Sequence, residues 1–487
     1  MAHANPADLS LADKILQDPE AKLIIQQIRT KIRQQPISDL FDHQRNQYVD
    51  LVLEGGGVLG IALLGYVHAL EQAGIRFMNI GGSSAGSIVA TLLAAADQPD
   101  QAKAIRLLHL LEVMPIKSFM DGGKDARNFL NRLRYNPEGI VDKIIPLSKI
   151  ALKKFAKAKL GINSGIKFEE WLSQCLEHEL KVPNQSVLRE RMQLKVPLKV
   201  ADTHHPQSDH ADFSSGTRLN RLAVIASDVT TESKVEFPKH AALYWPTQSE
   251  RISLAKFVRA SMSIPLVFEP VVATLQDHEQ DMIRNEWQEQ LGYYGKLPER
   301  AYLVDGSVVS NFPINVFHLQ NAVPLCPTLG VKLDTDRQKP KDVSNLGKYV
   351  GAIFDTARHL SDYSFLSQHP DYKHLVAYID LSEKQHVFVR KGWKKVPAEK
   401  NRFHWLDFDM DTETQFALFM RGMQAAKRFI CNESQYKDEN VYGFNWQRYK
   451  ELRAVSLAQF NKPVDDITAQ AVEQAKINAG LGVSSSH

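Results

Sequence analysis

Apolar residues recur along this chain at helical and at strand spacing in turn, and that alternation lays out most of its elements. Ile15, Leu16, Leu23, Ile24, Ile25 and Ile28 fall at helical spacing within 12–35, with Pro36 as a stop, which predicts an amphipathic helix pair. Residues 48–53 read as a buried strand, 58–73 as a helix ended by Gly74, 77–80 as a second strand and 84–96 as a helix of small residues. Strand, helix, strand, helix predicts an α/β fold, a mainly parallel central sheet flanked by helices. Further strands are expected at 221–227, 301–304, 328–333 and 374–381, with helices near 167–180, 253–262, 344–365 and 412–431. Residues 202–218 and 275–300 are polar enough to read as surface insertions, and the C-terminal Gly-Leu-Gly-Val-Ser-Ser-Ser-His as a fraying tail.

Composition adjusts this picture only slightly. With 487 residues, 44% hydrophobic and 24% charged, the chain is of ordinary globular type, large enough for one big domain with additions. Cys175, Cys326 and Cys431 are odd in number and lack a CxxC spacing, so free thiols in a reducing compartment are expected. The first 47 residues carry no basic-then-apolar leader. The long uncharged stretches 55–70 and 77–96 are broken by glycine and serine, and they suit core elements better than a membrane span. These features predict a cytoplasmic protein, soluble or peripheral, without signal peptide or transmembrane helix.

The net charge of +3 selects no partner, but its distribution is uneven. Residues 115–160 hold eleven Lys/Arg against four Asp/Glu, so the rest of the chain is net negative. Within 143–159 lysines alternate with Ile144, Ile145, Ile150, Leu152 and Phe155, as in a basic amphipathic helix that lies on anionic lipid. A solvated helix packed by its apolar stripe is the competing reading. Sparse aromatic interleaving excludes a nucleic-acid module.

Candidate chemistry sits in two glycine-rich turns, each between a strand and a helix. Gly82-Ser83-Ser84-Ala85-Gly86 fits G-x-S-x-G, a sharp strand-to-helix turn that exposes a serine hydroxyl above the helix's first amides. Gly55-Gly56-Gly57-Val58-Leu59-Gly60 offers small, unhindered amides to a developing oxyanion, and also spells the dinucleotide fingerprint G-x-G-x-x-G. That fingerprint needs an acid at the end of the second strand, where this chain has Asn79-Ile80-Gly81-Gly82. For Ser84 the alternative to a nucleophile is a plain helix cap. None of His68, His204, His205, His210, His240 and His374 sits in a turn with a convincing acid partner. The polar cluster His204, His205, Asp209 and His210 reads as a loop before a metal site. The most suggestive acid is Asp305 in Leu303-Val304-Asp305-Gly306-Ser307, which would present a carboxylate at the carboxyl edge of the sheet, beside the Ser84 turn.

Taken in order, these stretches resemble the patatin-like phospholipase family: a glycine-rich oxyanion loop (Gly55 to Gly60), a G-x-S-x-G elbow (Gly82 to Gly86) and a later Asp-Gly motif (Asp305-Gly306). Ala226-Ser227-Asp228-Val229-Thr230-Thr231, Ala260-Ser261-Met262-Ser263-Ile264-Pro265 and Asn311-Phe312-Pro313 agree, as does Asp407-Phe408-Asp409 before a helix. The resemblance implies a three-layer α/β/α domain over 47–432, with helical additions at 1–46 and 433–487. It implies a lipid acyl hydrolase with Ser84 as nucleophile, Asp305 as base, an oxyanion hole from Gly55, Gly56 and Gly57, and Gly60, Gly82, Gly86 and Gly306 in support. No metal or cofactor is implied; the substrate would be membrane or micellar lipid. Two positions depart from the family pattern. Leu59 stands where Lys or Arg is usual, and Ser307 where Gly or Ala is usual. The first motivates an alternative, a catalytically weak lipid-binding or regulatory protein with the same fold.

Overall fold

The N-terminal apolar stripe folds as two helices, α1 (Leu11–Gln17) and α2 (Pro19–Gln34). Their starts are set by local chemistry: Ser10 and Asp18 accept from the amides of Asp13 (3.1 Å) and Ala21 (2.8 Å), and Pro19 takes a first-turn position where no amide is missed. Ile24, Ile28 and Ile32 form the buried side of α2. The computed structural model describes residues 10–119, 121–122, 160–201, 218–333, 340–344, 346–391, 394–404, 407, 410–433 and 443–460. The basic segment 143–159 and most of the insertion at 202–218 lie outside the described residues.

Eight strands make most of a ten-stranded sheet among the described residues: β1 (Gln47–Leu53), β2 (Ile75–Ser83), β3 (Leu222–Asp228), β4 (Ser233–Phe237), β5 (Val271–Thr274), β6 (Arg300–Asp305), β7 (Thr328–Leu333) and β8 (Val376–Ile379). The short strands Leu40–Phe41 and Lys199–Val200 continue it at one margin. The centre is parallel: β3, β2, β1, β7 and β8 pair in that order. Every residue of β1, β3 and β7 is buried, as expected of strands covered on both faces.

Helix α3 (Gly60–Ala73) returns the chain from β1 to β2, and α4 (Ala85–Ala96) follows β2 directly. After the helices Ala104–Glu112, Ile166–Gln174, Gln185–Arg191 and Ala241–Tyr244, which are left unnumbered, come α5 (Leu254–Ser261), α6 (Asp277–Leu291), α7 (Leu346–Gln368), α8 (Thr412–Ile430) and α9 (Trp446–Phe460). Almost all of α3 is buried, because α8 and α2 both pack along it. Helices α3 and α8 approach so closely that a Cβ on Gly65 would overlap the carbonyl oxygen of Phe419, and one on Gly422 that of Ala62.

The structure refines two expectations. The polar stretch 275–300 is mainly a helix, α6, opened by a capping box between Gln276 and Glu279. It docks through a sparse side that includes Ile283 and Trp287, whose indole N–H donates to Leu243 O at 3.1 Å. The sheet is mainly parallel, as expected, with an antiparallel part beyond β2, where β6 runs antiparallel to β3 and β5 antiparallel to β6.

Candidate active site

The direction of β6 is what brings the candidate residues together. Along one edge β3 pairs with β4 over Val224 to Asp228. Its other edge is shared. The parallel β2 takes the first part, with Ser83 opposite Ile225, and the antiparallel β6 takes the second, with Asp305 opposite Ala226. The two strands therefore run head-on along one edge and stop at adjacent residues. Ser84, just past the end of β2, meets Asp305, the last residue of β6. Asp305 thus lies beside the Ser84 turn as expected, but on a strand that enters from the carboxyl edge of the parallel strands and ends against the elbow. Gly306 permits the junction, since a Cβ there would overlap Ile225 O and lie 2.6 Å from Ser83 Oγ.

Ser84 occupies φ 50°, ψ −122°, a left-handed conformation that costs a serine about 1–3 kcal/mol. The elbow is held there by close packing: a Cβ on Gly86 would overlap Leu53 O, and one on Gly82 would crowd the Gly86 carbonyl. Ser84 N–H donates to Ser261 Oγ at 3.0 Å, and Ser84 O accepts from Ser87 Oγ at 2.6 Å. The hydroxyl makes no cap bond to α4, which removes the cap reading; it donates to Asp305 Oδ2 at 2.7 Å.

Asp305 is 1% exposed, and each carboxylate oxygen is engaged: Oδ2 by Ser84, Oδ1 by Ser307 N–H at 2.8 Å. Its backbone is pinned by Ser227 Oγ on its carbonyl (2.9 Å) and by its own N–H on Ser263 O (3.0 Å). Burial pushes the Asp305 carboxyl above the ordinary carboxylate range, while the bonds from Ser84 and Ser307 and the charge of Arg358 pull the other way. Among the described residues no histidine bonds to Ser84 or Asp305. His68, in α3, packs on Phe419 of α8, and its pKa is pushed down to about 4 by burial. His240 accepts from Glu236 N–H through Nδ1 at 3.1 Å, and His374 Nδ1 lies 3.4 Å from Gly443 O. His204, His205 and His210 lie outside the described residues.

The glycine loop leaves β1 and passes beside the elbow: a Cβ on Gly55 would sit 3.0 Å from Ser84 Cβ and 2.6 Å from Asn311 Oδ1. Gly55 N–H donates to Asn311 O at 3.0 Å, so the Gly56 and Gly57 amides are the loop's candidate donors to a bound anion. A Cβ on Gly56 would overlap Leu333, and Gly57 has φ 57°. Gly60 opens α3 at ordinary van der Waals distance from Ala85, so no close approach requires it. Leu59 is buried in the main core.

Behind the loop lies a buried polar group that sequence reasoning missed. Glu54 Oε1 accepts from Lys332 Nζ (2.9 Å) and Asn311 Nδ2 (3.0 Å), and Oε2 accepts from Leu333 N–H (2.7 Å). Both charges are 2% exposed, with the Lys332 ammonium over the Phe312 ring. The available signal was a single lysine inside the otherwise apolar run 328–333. In Lys332→Met, Glu54 is left buried without its cation, and stability is expected to drop by about 3–5 kcal/mol in chemical denaturation. A loss under about 1 kcal/mol would mean that the pair does not hold the loop.

Among the described residues no cluster of His, Cys, Asp and Glu is placed to hold a metal ion, and no helix is long and apolar enough to cross a membrane.

A family model described as patatin-like phospholipase matches residues 51–318. The chain is 27% identical to YqhO of Bacillus subtilis, an uncharacterized protein, over 317 residues that are 65% of this chain and 82% of YqhO. It is 54% identical to the lysophospholipase nte1 of Aspergillus niger over 46 residues, 9% of this chain and 3% of that protein. The crystal structure of VipD from Legionella pneumophila aligns at 14% identity over 91% of this chain and 80% of that one, with a TM-score of 0.32, too low to carry weight.

Proposed function

The chain belongs to the patatin-like phospholipase family, and from that premise we propose that it hydrolyses carboxylic esters of lipids, with Ser84 as nucleophile and Asp305 as general base. One observation carries the proposal: the strained Ser84 donates its hydroxyl hydrogen to a buried carboxylate at 2.7 Å, with no histidine between them.

The chemistry balances on these two side chains. As Ser84 Oγ attacks the ester carbonyl, its proton passes to Asp305 Oδ2 and the carbonyl oxygen becomes an oxyanion facing the Gly56 and Gly57 amides. Collapse of the tetrahedral species expels the alcohol, which takes the proton from Asp305. Water then attacks the acyl-serine, gives a proton to the restored carboxylate, and the fatty acid leaves as Ser84 recovers its hydrogen. Because an aspartate is a weak base, burial that raises its proton affinity and fixed donors at the oxyanion supply much of the rate. Phospholipid is proposed ahead of neutral glyceride.

A second reading, a weakly catalytic lipid-binding protein, is favoured by the apolar Leu59 in the glycine loop. An alkyl fluorophosphonate separates the two. The hydrolase takes the label on Ser84, located by peptide mass spectrometry, and releases fatty acid from lysophosphatidylcholine. A folded protein that does neither is the binding protein.

A further inference from the structure

The glycine loop lacks a cation at Leu59, yet a cation stands beside the site, supplied by a different element. Helix α7 docks on the segment after Asp305 at two successive turns. Asp362 accepts from Ser310 Oγ (2.7 Å) and Phe312 N–H (2.8 Å), and one turn earlier Arg358 O accepts from Asn311 N–H at 3.4 Å. Asn311 is also the residue that grips the Gly55 amide. The turn that carries Arg358 is therefore one residue removed from the oxyanion loop, and the charge of Arg358 reaches Asp305.

The Arg358 guanidinium forms no ion pair or hydrogen bond among the described residues, and its Nε is buried. The neighbouring carboxylates are held elsewhere: Asp305 by Ser84 and Ser307, Asp362 by Ser310 and Phe312, Glu54 by Lys332, Asn311 and Leu333. A half-buried guanidinium without a counter-ion is a planar, bidentate receptor for an oxyanion such as phosphate. In a glycerophospholipid the phosphodiester lies a few bonds from the acyl ester, so an ester seated at Ser84 brings an anion to this side of the site. Neutral glycerides carry none.

We propose that Arg358 binds the phosphodiester of a glycerophospholipid whose acyl ester is seated at Ser84, and that it selects phospholipid over neutral glyceride. This rests on the hydrolase reading. The test compares kcat/KM for palmitoyl-lysophosphatidylcholine and monopalmitoylglycerol, which share the acyl chain and glycerol and differ in the phosphocholine group, in wild type, Arg358→Gln and Arg358→Lys. Arg358→Gln is expected to lose roughly tenfold to a hundredfold on the phospholipid and less than about twofold on the glyceride, with Arg358→Lys between, since lysine keeps the charge and loses the fork. Compared at a pH well above the acid limb of both proteins, where Asp305 is ionised with or without the Arg358 charge, the fluorophosphonate labelling rate of Arg358→Gln should equal that of wild type. Equal losses on both substrates, or slowed labelling, would mean that Arg358 acts through Asp305 and overturn the proposal, as would an unchanged phospholipid rate. Wild type that neither labels nor turns over either ester sinks the hydrolase reading and this one together, whereas labelling with the wrong substrate pattern sinks only this one.

Discussion

Ser84→Ala protein is expected to release no fatty acid above background and to take no fluorophosphonate label, a loss on the order of 10⁴-fold or more. It should nevertheless fold. Alanine keeps the Cβ, so the left-handed backbone at φ 50° stays as it is, and the elbow glycines and Ser261 still define the turn. What disappears is the donor to Asp305 Oδ2, one of the bonds that restrain the proton affinity of that buried carboxyl. Ser84→Gly is an informative companion. It is equally inactive but removes about 1–3 kcal/mol of backbone strain, against roughly 0.5–1 kcal/mol of added chain entropy, so it should melt above Ser84→Ala. Undiminished hydrolysis in either variant would place the nucleophile elsewhere.

Asp305→Asn is expected to lower kcat by about 10²–10⁴-fold, the range for a removed general base. Asparagine can accept from Ser307 N–H as before and turn its amide toward Ser84, so the junction of β2 and β6 stays closed while proton acceptance is lost. The pH dependence carries a sign. Burial raises the Asp305 pKa, so in wild type the acid limb of kcat/KM should lie above the ordinary carboxylate range, with activity rising as the group deprotonates. Stability runs the other way. The native state binds this proton more tightly than the unfolded chain, so stability falls as pH rises from the unfolded pKa through the raised native one, and the penalty is complete above it. Asp305→Asn should thus melt higher than wild type at neutral pH and lose that advantage in acid. Near-full activity in Asp305→Asn would give the base to a histidine.

The features that local chemistry encodes could be read directly from the chain. The strand and helix periods of 48–96 and the run 328–333 match the observed elements to within a few residues. The two glycine turns and Asp-Gly announced themselves because most of their glycines answer a nearby crowding: Gly55 and Gly56 in the loop, Gly82 and Gly86 in the elbow, Gly306 against β3. A long apolar stripe likewise marked α8. Where burial is sparse the signal weakens, and α6, with its few inward residues including Ile283 and Trp287, was hidden by its own polar surface.

Strand direction left no such trace, because an apolar run looks the same whichever way it is threaded. That β6 meets β2 head-on along one edge of β3, and so closes Ser84 on Asp305, follows from which edge remained open once β4 had paired with the other. The same holds for contacts between distant segments. Asn311 takes the Gly55 amide, which moves the candidate oxyanion donors to Gly56 and Gly57; Lys332 neutralises Glu54; α7 delivers Arg358. Local spacing determined which residues carry chemistry, since capping, crowding and periodicity act within a few residues. Which of them face one another was decided only by the packed sheet and helices, because that depends on the surfaces every other element leaves uncovered.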